Sequence, residues 1–337
     1  MTSMRRTQAL LVCCCALLWP IAAMAETDLI RIPRGAGGVG FLPLLVMEQK
    51  ELVEKQARAL GVTNLRADWI KLGGPAVVND LLLSGAADVV VAGPPAFLTL
   101  WDRTRETTKV RGIAAMSSIP MYLNTRAAHL NSIKDLKPND KIAVTAVKVS
   151  IPAIVMQMAA LKEYGPANHA HYDPFTVSLT HPDALIALSS GRADITAHFA
   201  SPPFHQRERK LAGMRTIMTS NEVMGGPSTF TMLYTTSRFH DANPKAVAAF
   251  LRALDEAIAS INADKHAAAQ TFIDMEAQSM PIAEVLEVLN DPDIRYTTTP
   301  ENVMRYADFM AGVGSLKARP RSWQELFFPN IHHVPGG

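Results

Sequence analysis

All three cysteines of this 337-residue chain, Cys13, Cys14 and Cys15, sit together near its N-terminus. Everything after them can form no disulfide and can offer no thiolate as nucleophile or metal ligand. Neither sign of charge dominates, with 33 Lys and Arg against 31 Asp and Glu, so the basic stripe that a nucleic-acid partner would need is missing. Beyond the N-terminal segment no stretch approaches the roughly 18 uninterrupted apolar residues of a membrane-spanning helix. There is no internal repeat, no low-complexity tract and no long flexible linker. The chain carries no G-x-S-x-G elbow, no H-E-x-x-H pair and no Walker loop ending in G-K-[ST], which removes the signatures of serine hydrolases, zinc peptidases and P-loop NTPases.

What is present begins with an export signal. Arg5 and Arg6 precede an apolar run from Ala9 to Ala23, and Ala23-Met24-Ala25 has the small-x-small form of a cleavage site. The expectation is a removed signal peptide over residues 1–25 and a periplasmic mature protein. The run is shorter than the ~20 residues of a spanning anchor and is interrupted by Pro20. A lipid anchor fits less well, because Val12 precedes Cys13 where a small residue is wanted. Loss of Arg5 and Arg6 would make the two charge counts equal. A hydrophobic fraction of 48% on a chain of this length implies a large core divided between two lobes.

The order of elements predicts an α/β fold. A strand at Asp28–Pro33, a glycine-rich turn and a helix over Phe41–Leu60 are followed by strand Leu65–Leu72, helix Ala76–Leu83, strand Asp88–Ala92 and a helix near Phe97–Arg103. Such alternation predicts a parallel sheet. After strand Val110–Met116 and the break at Ser117–Pro120 the pattern restarts: strands Met121–Thr125 and Lys141–Ala146, helices Pro152–Tyr164 and Pro182–Ser190, strands Ala193–Phe199 and Met214–Met218. Strand Thr229–Thr235 then returns to the first half, and helices fill the remainder. The reading is one lobe from 26–118 and 227–337 and another from 119–226, joined by two crossings.

Gly35-Ala36-Gly37-Gly38-Val39-Gly40 fits G-x-G-x-x-G between a strand and a helix, but the next strand lacks the acidic residue at its end that a ribose would need. No cofactor is therefore expected, and the turn is read as a cradle of backbone N–H groups for a polar ligand or as a structural bend. Four turns follow strands and precede helices: Gly35–Gly40, Gly73–Pro75, Gly93–Pro95 and Val149–Pro152. At the carboxyl ends of parallel strands they must converge, with Phe199, Ser201 and Pro202 at the matching place in the second lobe. His169, His171 and nearby His181 lack a carboxylate or thiolate at metal-site spacing, so no metal is expected. The charged stretch Arg207–Lys210 reads as solvated surface.

Gly85-Ala86-Ala87-Asp88-Val89-Val90-Val91-Ala92-Gly93-Pro94-Pro95-Ala96, Ile133–Lys137 leading into Lys141–Val144, and Gly191–Ile195 before Ser201-Pro202-Pro203-Phe204 together resemble the nitrate/sulfonate/taurine-type ABC-transporter substrate-binding proteins. The resemblance extends over most of the chain after the leader. It implies a type II periplasmic-binding-protein fold, two lobes closing on a ligand, and an ABC permease and ATPase as partners of a monomeric, non-enzymatic protein. The candidate ligand-binding residues are Gly37, Gly38, Gly74, Gly93, Pro94, Pro95, Ser117, Lys148, Ser150, Ile151, Phe199, Ser201 and Pro202; Pro94, Ser150 and Pro202 match the family's ligand-facing loops. Val147–Pro152 departs from the small Gly-Ser-Ser-type loop of the sulfonate binders. The apolar lining suits an organic molecule with one polar end, such as a carboxylate met by Lys148 or by glycine-loop amides; sulfonates, aromatic acids and pyrimidine-like compounds all remain open. Two rivals are a pyrimidine-precursor synthase, whose family uses a cysteine-rich motif, and a protein presenting solute to a membrane receptor other than an ABC permease.

Overall fold

The computed structural model describes residues 26–35, 37–71, 77–190, 195–276 and 280–337. The expected leader, Ala36, the Gly73–Pro75 turn with Gly74, and Gly191–Asp194 lie outside the described residues.

Eleven strands among the described residues fall into two halves. They are β1 (Leu29–Pro33), β2 (Arg66–Ile70), β3 (Val90–Ala92), β4 (Val110–Ser118), β5 (Tyr122–Thr125), β6 (Ile142–Val144), β7 (Thr176–Ser178), β8 (Ala197–Ala200), β9 (Arg215–Thr219), β10 (Thr229–Thr236) and β11 (Arg295–Tyr296). In the first half β1 pairs in parallel with β2, and β11-β4-β10-β3 form a sheet beside them. The two are stitched together by Arg31, whose carbonyl accepts the Asp88 N–H at 2.9 Å and whose guanidinium grips the Asp88 carboxylate at 2.9 and 2.7 Å. The second half is a five-stranded sheet in the order β7-β6-β8-β5-β9.

The sheets are mixed, which corrects the all-parallel expectation. β10 runs antiparallel to both β3 and β4, and β5 antiparallel to both β8 and β9. The cause is the double crossing: β5 enters the second half directly from β4, and β10 returns to the first, so each slots in against the direction of the strands laid down by β-α-β units. In each half the crossing strand stands between two strands that both run against it, and the whole is the two-lobed α/β architecture expected for the type II fold.

Local chemistry sets the helix starts. Proline stands in the first turn of helices Pro94–Thr104, Ile151–Tyr164 and Pro244–Ala263, where its missing N–H costs nothing. The helix expected over Phe41–Leu60 is instead two, Leu42–Gln49 and Leu52–Ala59, separated at Glu51 with φ 48°; an amphipathic stripe does not register a single left-handed residue. Helix Pro244–Ala263 buries Val247, Phe250, Leu254 and Ile261 at helical spacing and packs on helix Leu52–Ala59. Full burial of a side chain such as Phe250 is worth about 2–3 kcal/mol. No described helix is long and apolar enough to cross a membrane.

Candidate functional site

The strand-end loops of the two lobes meet face to face. A Cβ placed on Gly38, in the turn after β1, would lie 3.4 Å from the Pro202 carbonyl oxygen and 4.0 Å from Phe204 Cε2, both in the loop region after β8. A Cβ on Gly93, after β3, would lie 2.7 Å from Ile151 Cδ1, at the helix start after β6, and 3.3 Å from the Phe230 carbonyl oxygen. Glycine is favoured at both places for different reasons. Gly38 has φ 90°, which a side chain would strain, whereas Gly93 has an ordinary φ of −74° and leaves no room for a Cβ beside Ile151.

The lobes therefore touch along a seam of Gly38, Gly93, Ile151, Pro202 and Phe204. Pro94 and Pro95 are buried on one side of it, and Ile151, Ser201 and Pro202 on the other. Gly37 is drawn toward Glu276, whose Oε2 would lie 3.1 Å from a Cβ there. Burial, with Glu48 nearby, raises the Glu276 carboxyl above its usual range, although Arg34 opposes this. Arg34 ties the same loop down through Glu48 at 2.8 Å and the Met275 carbonyl at 3.1 Å. Ser150 stands immediately before helix Ile151–Tyr164, its hydroxyl donating to the Ala146 carbonyl at 2.6 Å.

Three predicted residues are placed elsewhere. Ser117 is wholly buried, and its hydroxyl is engaged by the Gly40 carbonyl at 3.2 Å and the Thr231 hydroxyl at 2.5 Å, so it fastens the glycine turn to the crossing strands. Phe199 is also wholly buried, paired opposite Leu123 within the second sheet; it fills a core. Lys148 is exposed at φ 66° between exposed Val147 and Val149, on the tip of a loop and not in the seam. Alternation and motif position cannot tell these cases apart, because a strand buried on both faces has no polar side to read.

The sequence reading missed a polar cluster behind the seam. Helix Phe204–Arg209 turns Glu208 fully inward, which corrects the reading of Arg207–Lys210 as uniformly solvated surface. Its Oε1 meets His198 Nδ1 at 2.5 Å, and its Oε2 accepts from Asn124 Nδ2 at 2.7 Å. His198 Nε2 in turn meets His181 Nδ1 at 2.8 Å. A signal was present: Glu208 lies four residues after Phe204, on the same helix face, and Phe204 is buried. Nearby, His205 stacks on Tyr122 with centroids 3.6 Å apart and is lowered to about 4 by burial and then by Arg209. Of the other histidines considered for a metal, His171 packs on Tyr164 and His169 approaches Phe309. Among the described residues no group of three or more His, Cys, Asp or Glu could hold a metal ion.

Two surface depressions, of about 400 and 280 Å³, lie at the helix Val303–Gly312 region and beside Pro227. Neither is lined by the seam residues Gly38, Gly93, Ile151, Pro202 or Phe204.

Comparison with known proteins gives a consistent picture. The family model described as NMT1/THI5 like matches residues 63–268. No curated protein matches in sequence. Among solved structures, a protein of Bordetella bronchiseptica RB50 superposes with a TM-score of 0.71 at 20% identity, over 90% of this chain and 95% of that one. The alkanesulfonate-binding protein SsuA from Xanthomonas axonopodis pv. citri, bound to MOPS, gives 0.65 at 17% identity, over 88% and 96%. The periplasmic nitrate-binding protein NrtA from Synechocystis PCC 6803 gives 0.68 at 14% identity, over 87% and 83%. At these identities the likeness is one of fold.

Proposed function

Because the chain belongs to the NMT1/THI5-like family, we propose that it is the periplasmic solute-binding component of an ABC importer, capturing a small organic molecule between its lobes and delivering it to a membrane permease. The observation that carries this reading is the meeting of strand-end loops from both lobes, Gly38 against Pro202 and Gly93 against Ile151. Ligands of open α/β sheets bind at such edges, where helix N-termini present unpaired N–H groups. The solute-binding neighbours, named for alkanesulfonate and nitrate, support a binding role.

On this reading Gly37, Gly38, Gly93, Pro94, Pro95, Ser150, Ile151, Ser201 and Pro202 border the ligand, and the lobes are 26–118 with 227–337 and 119–226. Hinges at Ser118–Pro120 and Gly225–Pro227 open and close them. The leader over residues 1–25 directs export. On the same reading the protein binds its solute without chemistry, in keeping with solute-binding neighbours named for alkanesulfonate and nitrate.

Thermal-shift screening of the purified mature protein against small carboxylates, sulfonates and pyrimidines tests the reading, because a ligand that binds only the folded state raises Tm by mass action. A hit whose affinity is abolished by Pro94→Trp or Ser150→Trp supports it. A hit of unchanged affinity in both variants places the ligand elsewhere.

A further inference from the structure

We propose that His181 anchors the solute, offering its Nε2–H to a hydrogen-bond-accepting oxygen or ring nitrogen, and that the Glu208–His198 pair behind it holds it in that donor form. The inference rests on the solute-binding reading and specifies which chemistry the cleft selects.

Position comes first. His181 opens helix His181–Ser189 directly after β7, and β7 runs parallel to β6, which runs parallel to β8. The His181 loop therefore leaves the sheet at the same edge as Ser150–Ile151 and Ser201–Phe204. The Val147 N–H donates to the Ser178 hydroxyl at 3.2 Å and ties two of these loops together. The His181 ring stacks on Phe204, centroids 5.4 Å apart and 26° between planes. Phe204 is in turn the side chain that approaches Gly38 of the opposite lobe.

The protonation follows from burial. His198 and Glu208 side chains have no exposure at all, and a pair with no net charge costs least to bury. With the carboxylate ionised, neutrality requires His198 to carry hydrogen on both nitrogens. With the proton on the carboxyl, Oε1–H donates to His198 Nδ1 and the ring hydrogen sits on Nε2. Both neutral arrangements leave Nε2–H on His198, with the proton between Nδ1 and Oε1 shared by the pair. An ionised Glu208 beside a neutral His198 would instead bury a net charge and reverse the relay, and the proposal takes the neutral form. In the neutral form that Nε2–H points at His181 Nδ1, 2.8 Å away, and Nδ1 is the acceptor. Burial and then the His198 charge hold His181 well below the usual imidazole range, so near neutral pH it is uncharged and its one ring hydrogen resides on Nε2. That atom has no hydrogen-bond partner among the described residues. A relay that begins at a buried carboxylate thus ends in a fixed, neutral donor at the cleft edge, a role that exposed Lys148 does not fill. Carbonyls, carboxylates, sulfonates and ring nitrogens satisfy it; a molecule that only donates leaves it unpaired.

Two measurements on the mature protein test this. Long-range ¹H–¹⁵N correlation spectra at pH 7.5, assigned with His181→Gln, are expected to show His181 protonated on Nε2 and bare on Nδ1. Titrations with benzoate, benzamide, benzenesulfonate and benzylamine follow. At least one acceptor-bearing probe is expected to raise Tm while benzylamine does not. His181→Leu should weaken the best acceptor-bearing probe by about tenfold, and His181→Gln, which keeps an amide N–H, by less than about threefold. An Nδ1–H tautomer, preference for benzylamine, or equal binding by His181→Leu overturns the proposal. Silence from all four compounds with the tautomer as assigned overturns the ligand role, and if the wider screen for the solute-binding reading is also silent, that reading fails with it. A hit in that screen that does not respond to His181→Leu sinks this inference alone.

Discussion

Lys210, at the end of helix Phe204–Arg209 in one lobe, reaches Glu284 of the other lobe at 3.1 Å and Glu287 at 3.5 Å. The three side chains are substantially exposed, so water and salt screen the contact. It links the two lobes at the surface and supports neither core. In Lys210→Glu the closed arrangement should be less populated and the radius of gyration measured by small-angle scattering larger. Wild-type protein in about 0.5 M salt should shift in the same direction. A scattering profile that is identical for the variant and the wild type at low salt would show that the link does not bias closure.

Gly93 sets how closely the lobes approach. Gly93→Val introduces atoms where Ile151 Cδ1 already lies 2.7 Å from an added Cβ, an overpacking that costs about 1–3 kcal/mol. The larger part of the cost falls on the arrangement in which Ile151 of the other lobe stands against Gly93, and a smaller part, from the Phe230 carbonyl oxygen of its own lobe 3.3 Å from the added Cβ, remains when the lobes part. Tm of the free protein should change little while affinity for any ligand found by screening drops about tenfold or more. Adding Ile151→Ala should restore part of it; no recovery in the double variant would place the effect of Gly93 within its own lobe.

Acid should destabilise the protein through its covered histidines. In the unfolded chain His205 takes up a proton near the ordinary imidazole value of 6.5, whereas in the fold burial and Arg209 hold it at about 4; His181 is lowered in the same direction. Between pH 6.5 and 4 the unfolded state thus binds more protons, so unfolding free energy falls as pH falls through that window and is fully present above it. Beside His205 stand the Tyr122 ring, Asn124 and the Arg209 charge. Urea unfolding at pH 7 and pH 5 should show the loss, and His205→Asn should flatten the slope. A His205→Asn slope equal to that of the wild type would assign the acid sensitivity to other groups.

Glu208→Ala strips the carboxylate from a pair with no exposure and leaves His198 and Asn124 without their acceptor. Removing one partner of such a pair costs about 3–5 kcal/mol, so Tm should fall by roughly 10 °C. Glu208→Gln retains an acceptor for Asn124 and should lose less than half as much. Calorimetry distinguishes this from the surface reading, under which both variants would match wild type.

The sequence by itself determined the class of fold, the alternation of strand and helix, and the places where loops gather, because hydrophobic period, glycine and proline act over a few residues and need no knowledge of what lies across the cleft. Gly85 at φ 73° closing helix Val78–Ser84 and Pro94 opening the next helix are local facts of that kind. Three matters were decided only by the tertiary structure. The direction of β5 and β10 follows from which lobe the chain comes from, and no residue in either strand encodes it. The fate of Ser117 and Phe199 depended on partners more than seventy residues away, Gly40 and Leu123. The histidine relay joins His181, His198, Glu208 and Asn124 from four separate elements. Burial gives these groups their meaning, since a glutamate in a run of charges is ordinary in water and becomes a constraint on its neighbours' protons only when water is removed.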